Sequence, residues 1–170
     1  MHREWIREQV APWQETMTGA RWTEPRNQHL TLKFLGWTRS EDRPSVEESC
    51  ERVAASHRTA TLRLSSVGVF PTARRARVLW VGIEDPAGLL TALAGDLDKA
   101  LEPLGFPAEK RAFTAHLTLA RFKVPARLEP PELDATRLGG FEVDSIGLWR
   151  SHLARAGATY ELLRRWPLNE

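Results

Sequence analysis

The tetrapeptide His-Leu-Thr-Leu occurs twice, at residues 29–32 and 116–119, 87 residues apart in a chain of 170. By ordinary residue frequencies a given histidine is followed by Leu-Thr-Leu roughly one time in a thousand. Two copies among five histidines therefore mark two versions of one half-site. Alternation along an extended chain sends His and Thr to one side and the two leucines to the other. Residues 28–35 read as one strand, with Leu30, Leu32 and Phe34 opposite His29, Thr31 and Lys33. Residues 115–122 read as another, with Leu117 and Leu119 opposite His116, Thr118 and Ala120. Each strand needs a core behind its leucines. Two lobes facing each other would bring two imidazoles and two hydroxyls to one cleft.

Of the other histidines, His57 repeats only the His-x-Thr spacing, without leucines, and is read as a surface cap where a helix ends. His2 is expected in a disordered terminus, and His152 lies near the end of the chain.

Helix and strand signals alternate around the two copies. Ile6, Val10, Trp13 and Met17 predict an opening amphipathic helix. Val46, Cys50, Val53 and Ala54 predict a second, with Pro44 suited to its first turn. Leu89, Leu90, Leu93, Leu97, Leu101 and Leu104 predict a third, closed by Gly105 and Pro107. Residues 61–64 and 77–83 read as strands joined by a long loop containing Gly68, Pro71 and Arg74-Arg75-Ala76-Arg77. Residues 143–148 and 160–166 read as closing strands around a connection at Gly157.

With 42% hydrophobic and 27% charged residues, residues 1–170 carry enough apolar material for one domain with a full core. No apolar run approaches the roughly 18 residues needed to cross a bilayer. Residues 1–8 alternate charge with apolar side chains and lack the apolar stretch of a secretory signal. A cytoplasmic protein without a membrane partner is expected. The lone Cys50 forms no internal disulfide and no multi-cysteine zinc cage, and Glu47, Glu48 and Glu51 beside it oppose a reactive thiolate. Net charge is only +2, but 20 of the 24 basic residues are arginine, whose planar fork matches phosphate.

Two histidines and two threonines on paired strands fit acid–base phosphoryl transfer. A neutral imidazole takes a proton from the nucleophile while a protonated one gives a proton to the leaving oxygen. The hydroxyls can then hydrogen-bond the non-bridging oxygens. Neither strand supplies a third carboxylate or cysteine for a zinc site, so no metal and no cofactor are expected.

Asn27-Gln28-His29-Leu30-Thr31-Leu32-Lys33-Phe34-Leu35-Gly36 and Arg111-Ala112-Phe113-Thr114-Ala115-His116-Leu117-Thr118-Leu119-Ala120-Arg121 resemble the two motifs of the two-histidine phosphoesterase superfamily. Within it they resemble the RNA 2′,3′-cyclic phosphodiesterases, also known as 2′-5′ RNA ligases. Gly68-Val69-Phe70-Pro71, Val78-Leu79-Trp80-Val81-Gly82 and Leu148-Trp149-Arg150-Ser151-His152-Leu153 are similar to the family's hairpins. The family commonly has proline where this chain has Ala112 and Ala115.

The resemblance implies an α+β fold of two pseudo-symmetric lobes, each an antiparallel sheet with helices on its outer face, around a central cleft. Relatives usually begin with a short apolar strand, whereas this chain starts at the helix, so the first lobe is expected to lack one strand. The implied activity is metal-independent opening of a 2′,3′-cyclic phosphate at an RNA end to a 2′-phosphate. His29 would be the general acid, His116 the base, and Thr31 and Thr118 the phosphate holders. Arg121, Arg77 and Phe70 are candidate substrate contacts, and a monomer is expected. Two alternatives use the same residues: a non-catalytic RNA-end binder, and 2′-5′ ligation as the reverse reaction.

Overall fold

The computed structural model describes residues 2–132, 140–154 and 157–170, and the side chains of 2–5, 153–154 and 157 lie outside that description. Two compact units divide the chain. The first comprises Met1–Leu30, Leu62–Glu84 and Ala115–Phe141, and the second Thr31–Thr61, Asp85–Thr114 and Glu142–Glu170. Among the described residues no helix is long and apolar enough to cross a membrane.

The first unit is built on antiparallel strands. Helix α1 (His2–Thr16) comes first, and β1 (Ala20–Trp22), β2 (Ala60–Phe70), β3 (Ala76–Glu84), β4 (His116–Ala126) and β5 (Phe141–Val143) form a sheet of order β1-β4-β3-β2-β5. The helix therefore begins at His2, where a disordered end was expected. Ile6 and Val10 are buried at 3% and 6% exposure. With Trp13 and Met17 they cover the core face of the sheet, where Leu64, Leu79, Val81, Leu119, Ala120 and Phe122 are buried. The 3.6-residue stripe of the opening sequence is this contact. Each fully buried leucine there contributes about 1.5–3 kcal/mol of transfer free energy.

The second unit packs α2 (Arg43–Ala55) and α3 (Leu89–Leu101) with the hairpin β6 (Ser145–Ala154)–β7 (Gly157–Pro167). Val46, Cys50, Leu93, Leu97, Leu101, Ile146 and Trp166 form its core, with Leu32 and Leu35 against it. Asp85 starts α3 by accepting the backbone N–H groups of Leu89 and Leu90 at 3.0 and 2.6 Å. Leu104, assigned to the same helix by its spacing, lies beyond the end of α3 in a 3-10 turn closed by Gly105 at φ 90°. Glu47 of α2 holds β7, accepting from Arg43 at 2.5 Å and from Arg164 at 3.0 Å. The Arg43 hydrogen bond, seconded by that of Arg164, keeps its carboxyl below the usual range.

Several expectations are corrected. Residues 28–35 do not form a strand. Their one ladder contact is an isolated antiparallel bridge between Leu30 and Leu117. Alternation also fails beyond Leu32, because Phe34 is 82% exposed while Lys33 turns inward. The three-residue strand β1 escapes a reading of the sequence because so short a run carries no periodic signal. The hairpin between β2 and β3 is short where a long loop was expected, since β2 continues through Gly68 to Phe70.

Gly68 is not a turn residue. A Cβ there would lie 2.2 Å from Trp80 Cζ2, so the glycine makes room for the indole. His57 follows the end of α2 as expected, its N–H donating to the Ala54 carbonyl. Its side chain, however, is mostly buried, with Nε2 3.1 Å from Asp96 Oδ2, tying the end of α2 to α3.

This pairing predicts uneven amide exchange. Residues 28–35 have a single bridge, whereas β4 is bonded to β3 on one side and to β1 and Leu30 on the other. Exchange measured by mass spectrometry is expected to be faster across 28–35 than across 115–122. Equal protection would mean that the first motif is held in solution by more than its one bridge.

Candidate functional site

The bridge between Leu30 and Leu117 builds the site. Antiparallel pairing centred on those two leucines sets His29 directly across from Thr118, and alternation turns both away from the leucine face. Leu117 packs toward the core of the first unit, which leaves His116 and Thr118 on the other face of β4. His116 pairs with Gly82 of β3 and Thr118 with Trp80. The twin motifs thus meet at Leu30 and Leu117.

His29 is exposed, and its ring lies 2.7 Å through Nδ1 from the Asn27 carbonyl. A carbonyl only accepts, so Nδ1 carries a proton and Nε2 is the nitrogen that exchanges one. Pro25–Asn27 forms the short 3-10 turn that presents this carbonyl. His116 is half-buried and held by rings. Its centroid is 5.2 Å from Phe70 in an edge-on arrangement, at an interplanar angle of 82°, and 6.0 Å from Trp80. Phe70 and Trp80 pack on each other at 5.0 Å. Gly68 and Gly82 leave the space these rings need, since a Cβ on Gly82 would come within 3.3 Å of the Trp80 ring. Phe70, read as a candidate substrate contact, thus lies against His116, and Trp80, which no signal in the sequence marked, lies close by.

An irregularity in the pairing of β3 with β4 falls between Leu79 and Trp80. Thr118 pairs with Trp80 but Ala120 with Leu79, so Leu119 is the additional residue. Strict alternation would put Ala120 beside His116 and Thr118. The extra residue instead turns Ala120 into the core at 0% exposure and brings Arg121 opposite Val78, which shares a face with Trp80. Arg121 is therefore on the histidine face and exposed. Arg77 is exposed, and its guanidinium donates to the Lys123 carbonyl at 3.2 Å. Thr31 opens the second unit, one residue beyond Leu30.

Other reactive groups lie elsewhere. Cys50 is buried in the second unit, where desolvation first and the Glu47 charge second push its thiol up to about 11. It stays protonated at neutral pH and is no nucleophile. His152 approaches Glu161 at 2.9 Å on the β6–β7 hairpin. Among the described residues no group of three or more His, Cys, Asp or Glu side chains gathers as a metal site.

Comparison with known proteins identifies a family. The family model of the 2′-5′ RNA ligase superfamily matches residues 5–155. A protein of Aeropyrum pernix named RNA 2′,3′-cyclic phosphodiesterase is 36% identical over 146 residues, covering 82% of this chain and 81% of its own. One of the same name from Archaeoglobus fulgidus is 34% identical over 168 residues, covering 94% and 92%. The crystal structure of a Thermus thermophilus protein superposes with a TM-score of 0.82 at 29% identity, covering 98% of this chain and 91% of that one. That of E. coli LigT in complex with 3′-AMP superposes at 0.78, also at 29% identity, covering 97% and 92%. With a family match over most of its length and relatives above 30% identity, the chain belongs to the 2′-5′ RNA ligase superfamily.

Proposed function

We propose that this protein is an RNA 2′,3′-cyclic phosphodiesterase that opens the cyclic phosphate at an RNA end to a 2′-phosphate, by two-histidine acid–base catalysis without a metal. The observation that carries the reading is the Leu30–Leu117 bridge, which sets His29 across from Thr118 on the strand of His116. His116 takes a proton from water as its oxygen attacks phosphorus. The bond from phosphorus to the 3′ oxygen breaks, and His29 gives that oxygen its proton. The products are a 2′-phosphate and a 3′-hydroxyl. Thr118, and Thr31 two residues beyond His29, hydrogen-bond the non-bridging oxygens as charge grows on them. The names borne by the Aeropyrum and Archaeoglobus relatives support this substrate, and the 3′-AMP complex of LigT supports a nucleotide ligand. The protein acts as a monomer in the cytoplasm.

Ligation is the same chemistry with a 5′-hydroxyl in place of water. Water competes at about 55 M, so hydrolysis dominates in dilute solution. The deciding experiment is turnover of an oligonucleotide 2′,3′-cyclic phosphate in chelator, with the product resolved into 2′- and 3′-phosphates. A 2′-phosphate formed at an undiminished rate is the expected result. Loss of activity restored by zinc or manganese would overturn the metal-independent mechanism, and binding without turnover would favour an RNA-end binder.

A further inference from the structure

The pairing of β2 with β3 carries a bulge at the level of His116. Leu64 is opposite Ile83 and Val67 opposite Val81, so Ser65 and Ser66 together face the single residue Gly82. Gly82 is in turn opposite His116. The Ile83 N–H donates to the Ala115 carbonyl at 3.0 Å, which makes Gly82 and His116 a pair of the non-hydrogen-bonded kind, where opposed side chains stand closest. A Cβ on Gly82 would lie 2.6 Å from Ser65 Oγ and 3.3 Å from the Trp80 ring. The Ser65 hydroxyl therefore takes the place that a side chain on Gly82 would fill, half-buried and on the face of His116 and Trp80. Opposed Cβ atoms are about 4.5–5.5 Å apart, which puts this hydroxyl at most about 8 Å from the Cβ of His116. The imidazole and one water span such a gap.

The two sides of β4 differ. Leu117 is opposite Leu30 on one side and opposite Val81 of β3 on the other. His29 therefore flanks β4 on the side away from β3, whereas Ser65 reaches it from across β3. In phosphoryl transfer the attacking and leaving oxygens stand in line, on opposite sides of phosphorus. With His29 at the leaving oxygen in the proposed reaction, water enters from the side of His116 and Ser65. One O–H of that water gives its proton to His116, and a hydroxyl that accepts the other leaves a lone pair aimed at phosphorus.

We propose that Ser65 Oγ accepts the second O–H of the attacking water, so that Ser65 selects water over an alcohol as the nucleophile. The proton shared with Ser65 stays on the oxygen that joins phosphorus. The other passes to His116, the bond from phosphorus to the 3′ oxygen breaks, and His29 protonates that oxygen. An alcohol has a single O–H, which His116 takes, so it gains nothing from Ser65. The inference rests on the two-histidine reading, and within it Ser65 favours hydrolysis over ligation.

Turnover of the dinucleotide ApA ending in a 2′,3′-cyclic phosphate, in aqueous methanol, tests it. The 2′-phosphate and its methyl ester are separated by chromatography. Ser65→Ala is expected to lower kcat for hydrolysis about tenfold at an unchanged KM, the size of one hydrogen bond to the reacting water. Methanolysis should fall far less, so the ratio of ester to 2′-phosphate rises by nearly the same factor. Ser65→Thr, which keeps the hydroxyl, should restore the wild-type ratio. The bell-shaped pH profile should be shared by all three proteins, since both imidazoles remain.

A wild-type ratio in Ser65→Ala would overturn the role of Ser65, whether both rates held or both fell by one factor, because a merely structural serine affects both nucleophiles alike. A wild type that turned over no cyclic phosphate would overturn the hydrolytic reading, and this inference with it.

Discussion

Alanine at His116 or at His29 is expected to lower kcat for a cyclic phosphate end by about 10² to 10⁴, the range for loss of one acid–base partner. In the proposed reaction the two substitutions remove different halves of one proton relay. The double variant should therefore be scarcely slower than the worse single one, because a relay missing either end is already broken. The pH profile separates the halves. An enzyme needing one neutral and one charged imidazole has a bell-shaped profile. In His116→Ala the residual rate should lose its acidic limb, since no base is left to be protonated there. In His29→Ala it should lose the alkaline limb. Alanine at Thr31 or Thr118 should cost less, with the bell intact. Wild-type rates in both histidine variants would remove the pair from the reaction.

The geometry also says which neighbours matter. His116 has Phe70 at its edge and Trp80 close by, whereas His29 is fixed through its Nδ1 to a backbone carbonyl. The first support is side-chain packing and the second is not, so substitutions of Phe70 or Trp80 should disturb the base more than the acid.

The two His-Leu-Thr-Leu motifs stand out because a tetrapeptide repeated 87 residues apart needs no structural context to be noticed. The α3 leucine stripe and the opening helix are legible for the same reason as any amphipathic element: burial on one side leaves a period. Alternation is less reliable. It reports an extended backbone, and residues 28–35 meet the rest of the sheet through only one bridge. It carries no record of bulges, so it places Ala120 on the polar face and leaves the arrival of Arg121 there unseen. Gly68 reads as a turn because the sequence does not show that an indole lies over it. The pairing of Arg21 with Arg121 is invisible because it is a non-local fact. His57 and Asp96, 39 residues apart, are another such pair.

Lys33 shows most clearly how such a contact can govern the fold, and methionine there is expected to cost about 1–3 kcal/mol of stability. Alternation groups Lys33 with His29 and Thr31, yet its side chain is only 6% exposed, with its ammonium paired to the Asp98 carboxylate of α3. The same ammonium donates to the Pro107 carbonyl at 2.9 Å, and Asp98 also accepts the Glu109 backbone N–H at 3.2 Å. One buried lysine therefore clips the segment that follows Thr31, and the loop that leads toward Thr114 and His116, to a single helix. Methionine fills the same volume without the charge, which leaves a largely buried carboxylate unpaired and a carbonyl without its donor. Urea unfolding should show a lower midpoint at an unchanged slope. Since an apolar pair can replace a buried ion pair at little cost, Lys33→Met combined with Asp98→Leu should recover much of the loss, and high salt should weaken the wild-type pair only slightly. A wild-type midpoint for Lys33→Met would show that the segment after the first motif is held in place by Leu32 and Leu35 alone.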